Sequence, residues 1–227
     1  MTQSFYEQLL AETAEAAQSF RAIPVIRRTV AQGADRGLYL KFLASAYHHV
    51  RHTCPLLERA HGRCTEADHA YKTGLLAYLD EEQGHEAWIL EDIAALGGDA
   101  AAVAAALPPL PVRLMVAYGY YAIDHISPYA LLGMVHVLEG MSVALAHAAA
   151  GAIRASLRLD EKTPGFSYLT SHGALDVEHV DLFAALLERI DTPERRRVVI
   201  QAARDFYRLY GDIFRALDDE GDAKNAA

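Results

Sequence analysis

The 227-residue chain has few of the Val, Ile and Thr runs that would build β-strands; Ala and Leu dominate its hydrophobic 52%, and that balance favours helix throughout. Cysteine is nearly absent. Cys54 and Cys64 are the only two, and their spacing is not the Cys-x-x-Cys of zinc or redox sites. Basic charge is also scarce, with 21 Lys and Arg against 30 Asp and Glu and a formal charge of -9. Such a surface repels phosphate backbones, so nucleic acid is not an expected partner. The longest basic run, Arg195-Arg196-Arg197, reads as a solvated helix face. The first twenty residues carry Glu7, Glu12 and Glu15 and lack the basic start and apolar stretch of a signal peptide. Ala100 to Leu107 is too short to cross a bilayer, and no uninterrupted apolar segment is long enough. A cytoplasmic protein without membrane contact is expected.

Proline and glycine divide the chain into seven or eight predicted helices. The first covers Ser4 to Phe20 and a short second one follows Pro24 to about Gln32. A third runs from Arg36 to His61, with a kink or break predicted at Pro55. Thr65-x-x-Asp68 has the form of a helix start, and that helix continues to Leu96 before Gly97-Gly98. Others span Pro111 to His125, Pro128 to Leu157 and Ser171 to Ile190. Asp191-Thr192-Pro193-Glu194 starts the last helix, which reaches about Leu217. Neither a linker nor a repeat is visible, so residues 1–217 are expected to form one helical domain and 218–227 a polar, disordered tail.

Three segments carry chemistry. In His172-x3-Asp176-x2-His179, the three side chains fall within an arc of roughly 60° on a helix and can converge on one or two metal ions. Composition gives on the order of 0.07 such matches by chance, so alone the motif is only suggestive. In Asp80-Glu81-Glu82-Gln83-Gly84-His85, either Glu82 (i, i+3) or Glu81 (i, i+4) can share a helix face with His85. Glu139 is the only acid between Pro128 and Leu157. If buried in so apolar a helix, it must be neutral, paired or bound to a cation. His136, one turn earlier, reads as a satisfied core histidine. Carboxylates with a few imidazoles on facing helices are the inventory of di-iron sites in bundles, and two imidazoles with a carboxylate suit iron, zinc or manganese.

At these residues the chain resembles the haem-oxygenase-like di-iron oxidases, the iron-containing redox enzymes related to TenA and PqqC proteins. Tyr47-His48-His49-Val50 and Pro55 look like that family's early helix, and the likeness runs from about Leu38 to Leu217. The resemblance implies an all-α, haem-oxygenase-like seven-helix bundle without haem. Its metal ligands would be Glu82, His85, Glu139, His172, Asp176 and His179, with Glu81 as the alternative to Glu82, because some members separate the first Glu and His by more residues. It implies two iron ions, or a manganese–iron pair, with O2 as co-substrate. The substrate would be a small organic molecule bearing a carboxylate or an amine; an external electron donor is a further candidate partner, and a homodimer is expected on general grounds.

Competing readings are a cofactor-free TenA-like hydrolase of the thiaminase II type, a PqqC-like oxidase, a ferritin-like di-iron bundle that would also use Glu58, and a metal-free scaffold. Tyr118, Tyr120, Tyr121, Tyr129, Phe166, Tyr168, Phe206, Tyr207 and Tyr210 are candidates to line a pocket, and Arg204 or Arg208 to anchor a substrate carboxylate.

Overall fold

The helical propensity carries through to the backbone. The structure, a computed structural model, describes residues 3–171 and 183–225, with side chains as far as Asp218. Ten α-helices are found among them: α1 (Phe5–Arg21), α2 (Pro24–Gln32), α3 (Arg36–Val50), α4 (Thr53–Arg63), α5 (His69–Glu82), α6 (His85–Ala95), α7 (Ala100–Ala105), α8 (Leu110–His125), α9 (Leu131–Leu157) and α10 (Pro193–Asn225). Short 3-10 turns at Glu66–Asp68 and Pro128–Ala130 precede α5 and α9. Residues 167–171 and 183–187 are also helical, and no strand occurs among the described residues.

More helices are found than the expected seven, because two long patterns are split by local backbone geometry and Ala100–Ala105 forms a short helix of its own. The break expected at Pro55 lies at Arg51 and His52. Pro55 itself is the third residue of α4, in the first turn, where its missing N–H has no helical partner to lose. The second split, at Gln83 and Gly84, shapes the site and is taken up below. Helix starts follow the sequence signals. Ser4 forms a capping box with Glu7, Asp35 accepts from Leu38 N at 2.8 Å and Asp99 from Ala102 N at 2.9 Å; each cap contributes about 1 kcal/mol.

The basic run is not the solvated face expected of it. Arg195 reaches the buried Asp68, which also accepts from Tyr129 OH at 2.9 Å, and its guanidinium lies 4.7 Å from the Tyr129 ring centroid. Arg196 donates to Ile190 O at 2.9 Å and covers the Phe5 ring. Of the three, only Arg197 keeps to the surface, paired with Glu194 at 2.8 Å. The acid fixed by Thr65-x-x-Asp68 thus ties the start of α5 to the start of α10.

Two apolar clusters form the interior. The larger joins α1, α2, α4, α5, α8 and α10 to the first half of α9, from Leu131 to Met141. The smaller joins α3 and α6 to the second half of α9, from Ala146 to Ile153. α9 therefore belongs to both, and α10 packs on it more extensively than any other described pair of elements. By length and composition the stretch Pro128–Leu157, with mean hydropathy 1.5, could cross a membrane, which corrects the expectation that no segment would. Its apolar residues are explained by this double packing, since 67% of that window is buried inside the molecule.

His136 is the core histidine expected. Its Nε2 lies 3.0 Å from Thr13 Oγ1, whose single proton goes to Leu9 O at 2.7 Å, so Nε2–H is the donor. Burial lowers its pKa to about 4. The unfolded chain binds that proton below pH 6.5 and the native one does not. Stability is therefore unaffected above pH 6.5, falls as pH drops through the window from 6.5 to 4, and in total loses on the order of 3 kcal/mol. Urea titrations at pH 7 and pH 5 are expected to show this loss in the wild type and a flatter dependence in His136→Gln. Equal slopes in the two proteins would remove His136 as the cause.

Candidate metal centre

Glu82 and His85 owe their meeting to a turn rather than to one helix face. α5 ends at Glu82. Gln83 is extended, Gly84 has φ 86°, and α6 begins at His85. The positive φ is the conformation that glycine adopts without steric penalty. The expected continuous helix from Thr65 to Leu96 is thus two helices with a donor at each side of the break. His85 Nδ1 lies 3.3 Å from Glu82 Oε2, and the imidazole stacks on Trp88 at 4.3 Å between centroids. Both donors are buried, Glu82 at 4% and His85 at 3% exposure. Glu81, one residue earlier, is exposed, so the geometry favours Glu82 of the two.

Glu139 comes from the middle of α9 and is 8% exposed. Tyr78 OH donates to Glu139 Oε1 at 2.7 Å. Tyr78 stands one turn before Glu82 on α5, so this bond ties the two acidic helices together. Sequence reasoning missed Tyr78; the available signal was its i, i+4 spacing from Glu82. A cavity of about 150 Å³ lies where the two apolar clusters meet, and Glu82, Glu139, Tyr78 and His49 all line it. His49 sits edge-on to Tyr210, another lining residue, at 5.6 Å.

His172, Asp176 and His179 lie outside the described residues. The chain that leads to them is well anchored. Asp92 on α6, two turns after His85, accepts from Ser167 N at 2.9 Å and Tyr168 N at 2.8 Å, occupying two of the free amides at a helix start. Burial pushes the Asp92 carboxyl up, against the pull of these amides. Arg154 on α9 donates to Asp160 O at 2.9 Å and Thr163 O at 2.8 Å, and its guanidinium covers Phe166 at 3.9 Å. The helices that carry His85 and Glu139 therefore also hold residues 160–168.

Among the described residues, no group of three or more His, Cys, Asp or Glu is placed to hold a metal ion. What the described part supplies is two buried carboxylates, Glu82 and Glu139, lining a common cavity, with the His85 imidazole beside Glu82 but outside the lining and the His49 imidazole within it; carboxylates and imidazoles are donors that suit iron. Glu58, which a ferritin-like set would need, is exposed. Of the candidate pocket aromatics, Tyr168 and Tyr210 line the cavity. Tyr121 is 56% exposed, Tyr118 donates to Asp205 at 2.6 Å and Phe166 stacks on Tyr39 at 5.0 Å. Arg204 binds Glu12 on the surface at 2.6 Å and Arg208 is exposed, so neither anchors a ligand in this cavity. The Cys54 thiol is pushed up by burial and then by Glu82, Glu86 and Glu58, and burial takes Cys64 up to about 11. Neither is poised as the thiolate a cysteine-based hydrolase needs.

A family model described as iron-containing redox enzyme matches residues 40–211. A search of curated proteins gives no match. Among solved structures, the chain is similar to a domain of unknown function with a heme oxygenase-like fold from Shewanella denitrificans, with TM-score 0.87, 21% identity and 97% of this chain and 94% of that one covered. It is also similar to a TenA homologue from Pseudomonas syringae, with TM-score 0.78, 10% identity and coverage of 95% and 93%. Heme oxygenase from Leptospira interrogans superposes with TM-score 0.75 at 16% identity, covering 93% and 98%. At these identities the structures establish the fold, which is all-α and haem-oxygenase-like.

Proposed function

The chain belongs to the family of iron-containing redox enzymes, and from that premise we propose that it is a non-haem di-iron oxidase or oxygenase acting on a small organic substrate. Glu82, His85, Glu139, His172, Asp176 and His179 would hold two irons, with O2 as co-substrate. The observation that carries this reading is the placing of Glu82 and Glu139, from separate helices, on the wall of one buried cavity. Burying a carboxylate is costly unless it is paired or bound to a cation, and iron would compensate both.

Iron, when bound, supplies the binding and reduction of dioxygen. The protein's own part is orientation and exclusion of water. Tyr78 OH, by donating to Glu139 Oε1, restricts the orientation of that carboxylate. Trp88 and Glu82 together restrict the His85 ring. Partners of this kind fix the direction of ligands and raise their affinity for metal. The apolar majority of the lining keeps bulk water from the reacting groups.

The test is oxygen uptake. Protein loaded anaerobically with ferrous iron, freed of unbound metal and mixed with oxygenated buffer, is expected to consume oxygen in proportion to its iron. The Glu82→Ala/Glu139→Ala variant is expected to consume none. Iron-loaded wild type that takes up no oxygen, with or without a panel of amino acids and fatty acids, would leave a TenA-like or binding role in place of an oxidase.

A further inference from the structure

The chain carries a formal charge of -9, yet the charged groups of one surface cleft are all basic. The cleft lies where α1 turns into α2. It is open and has a volume of about 590 Å³, within the range of small-molecule sites. Arg21 at the end of α1 and Arg27 and Arg28 on α2 line it, and no Asp or Glu occurs in the described lining. Its floor is apolar, formed in part by Pro24, Ile26 and Val30 of α2 and Leu145 of α9. Ile26, Val30 and Leu145 also line the buried cavity, so the cleft and the cavity share a wall.

Counting charges decides what the cleft can take. Arg28 is met by Asp218 of α10 at 2.6 Å. Arg21 and Arg27 are exposed and form no ion pair among the described residues. Arg21 stands in the last turn of α1, where a cation is favoured by the helix dipole; Arg27, near the start of α2, has no such support. Two guanidiniums without counter-charge, in a cleft free of acids, complement one dianion. A phosphate monoester carries about -1.5 to -2 at pH 7, and guanidinium forks match its oxygens in pairs. A nucleic-acid backbone is a poor fit, since it binds through several phosphates and the described lining has no ring on which a base could stack.

We propose that the cleft between α1, α2 and α9 binds a phosphate monoester, its phosphate held by Arg21 and Arg27 and its small alkyl group against Pro24, Val30 and Leu145. Arg28 is shared, because the ligand competes with Asp218 for it. Neither iron nor Glu82 takes part, so the site stands whether or not the chain is an oxidase.

Iron-free protein is titrated calorimetrically with butyl phosphate, inorganic phosphate and pentanoate at constant ionic strength and at pH 8, above the second phosphate pKa of about 6. Butyl phosphate is expected to bind most tightly, inorganic phosphate next because it lacks the apolar contact, and the monoanion pentanoate least. Arg21→Gln and Arg27→Gln are each expected to weaken butyl phosphate about tenfold, the loss of one hydrogen bond between charged groups. Asp218→Asn is expected to tighten it about threefold, as a surface ion pair of modest strength gives way. Arg197→Gln removes the same charge from a different surface and should bind as wild type does. The three arginines are exposed, so each variant should melt with wild type in the absence of ligand. Wild type that does not bind butyl phosphate, or binds pentanoate as tightly, overturns the proposal. So does equal weakening in Arg197→Gln, which would mean unspecific attraction, or wild-type affinity in Arg21→Gln and Arg27→Gln. An unchanged affinity in Asp218→Asn overturns the part given to Arg28.

Discussion

Glu139→Gln is expected to bind iron about 100-fold more weakly than wild type while folding normally. The amide keeps the volume of the side chain and leaves a carbonyl oxygen to accept from Tyr78 OH, so the bond between α5 and α9 survives. What disappears is the negative charge and a metal-binding oxygen. Tyr78→Phe removes only the orienting donor and is expected to weaken iron binding by about 10-fold, the lower end of the range for partners one step removed from a metal. Glu82→Gln should behave as Glu139→Gln does, whereas the exposed Glu81→Gln should match wild type. The readout is metal content after dialysis against graded concentrations of a ferrous chelator, backed by the iron-dependent rise in melting temperature. Ligand at 100 times its dissociation constant stabilises by about 2.7 kcal/mol, and that rise should shrink in the same order as affinity. Wild-type iron retention in Glu139→Gln, or loss in Glu81→Gln, would remove these assignments.

The second large effect concerns packing. A Cβ placed on Gly133 of α9 would lie 2.5 Å from Ala203 N and 2.6 Å from Ala202 Cβ on α10. The first obstacle is backbone, so relief requires the two most extensively packed helices to move apart. Over-filling a core costs about 1–3 kcal/mol. Here the upper end applies, and the better helix propensity of alanine returns about 1 kcal/mol. Gly133→Ala is therefore expected to lose about 2 kcal/mol, or about 4–8 °C in melting temperature for a chain of this size. Gly151 on the same helix gives the contrast. It is exposed and a Cβ there meets nothing within 4 Å, so Gly151→Ala is expected to gain up to about 1 kcal/mol. Thermal melts of the two variants should shift in opposite directions. A Gly133→Ala protein as stable as wild type would mean that α9 and α10 do not approach this closely.

The legibility of the site varied with the kind of signal each residue leaves. Glu139 stood out because it is the one acid among the twenty-seven residues of a mostly apolar helix, and burial turned that contradiction into a cavity wall. Glu82 and His85 were readable as a pair, but for a reason the structure replaces: periodicity placed them on one face, whereas a left-handed glycine brings them together across a break. A two-residue turn inside a strong helical pattern leaves little trace when its glycine is flanked by good helix formers. Tyr78 was hidden because tyrosines at helical spacing are usually core, and nothing in the sequence says which one has a buried acid across from it. Arg195 was hidden for the converse reason. Its partner Asp68 is 127 residues away, and a run of three arginines looks the same whether or not one of them turns inward.

The glycine turn between α5 and α6 also bears on how such proteins diverge. Were Glu82 and His85 on one helix, their spacing would be locked to the helical repeat, and an added residue would swing one donor about 100° off the cavity. Because each belongs to its own helix, held by its own contacts, the connection can lengthen as a loop while both donors stay in place. Doubling such a loop costs only about 0.6 kcal/mol in closure entropy. The interval between these two donors is thus free to drift among homologues, while a rigid Glu-x-x-His pattern would overlook every lineage in which it has.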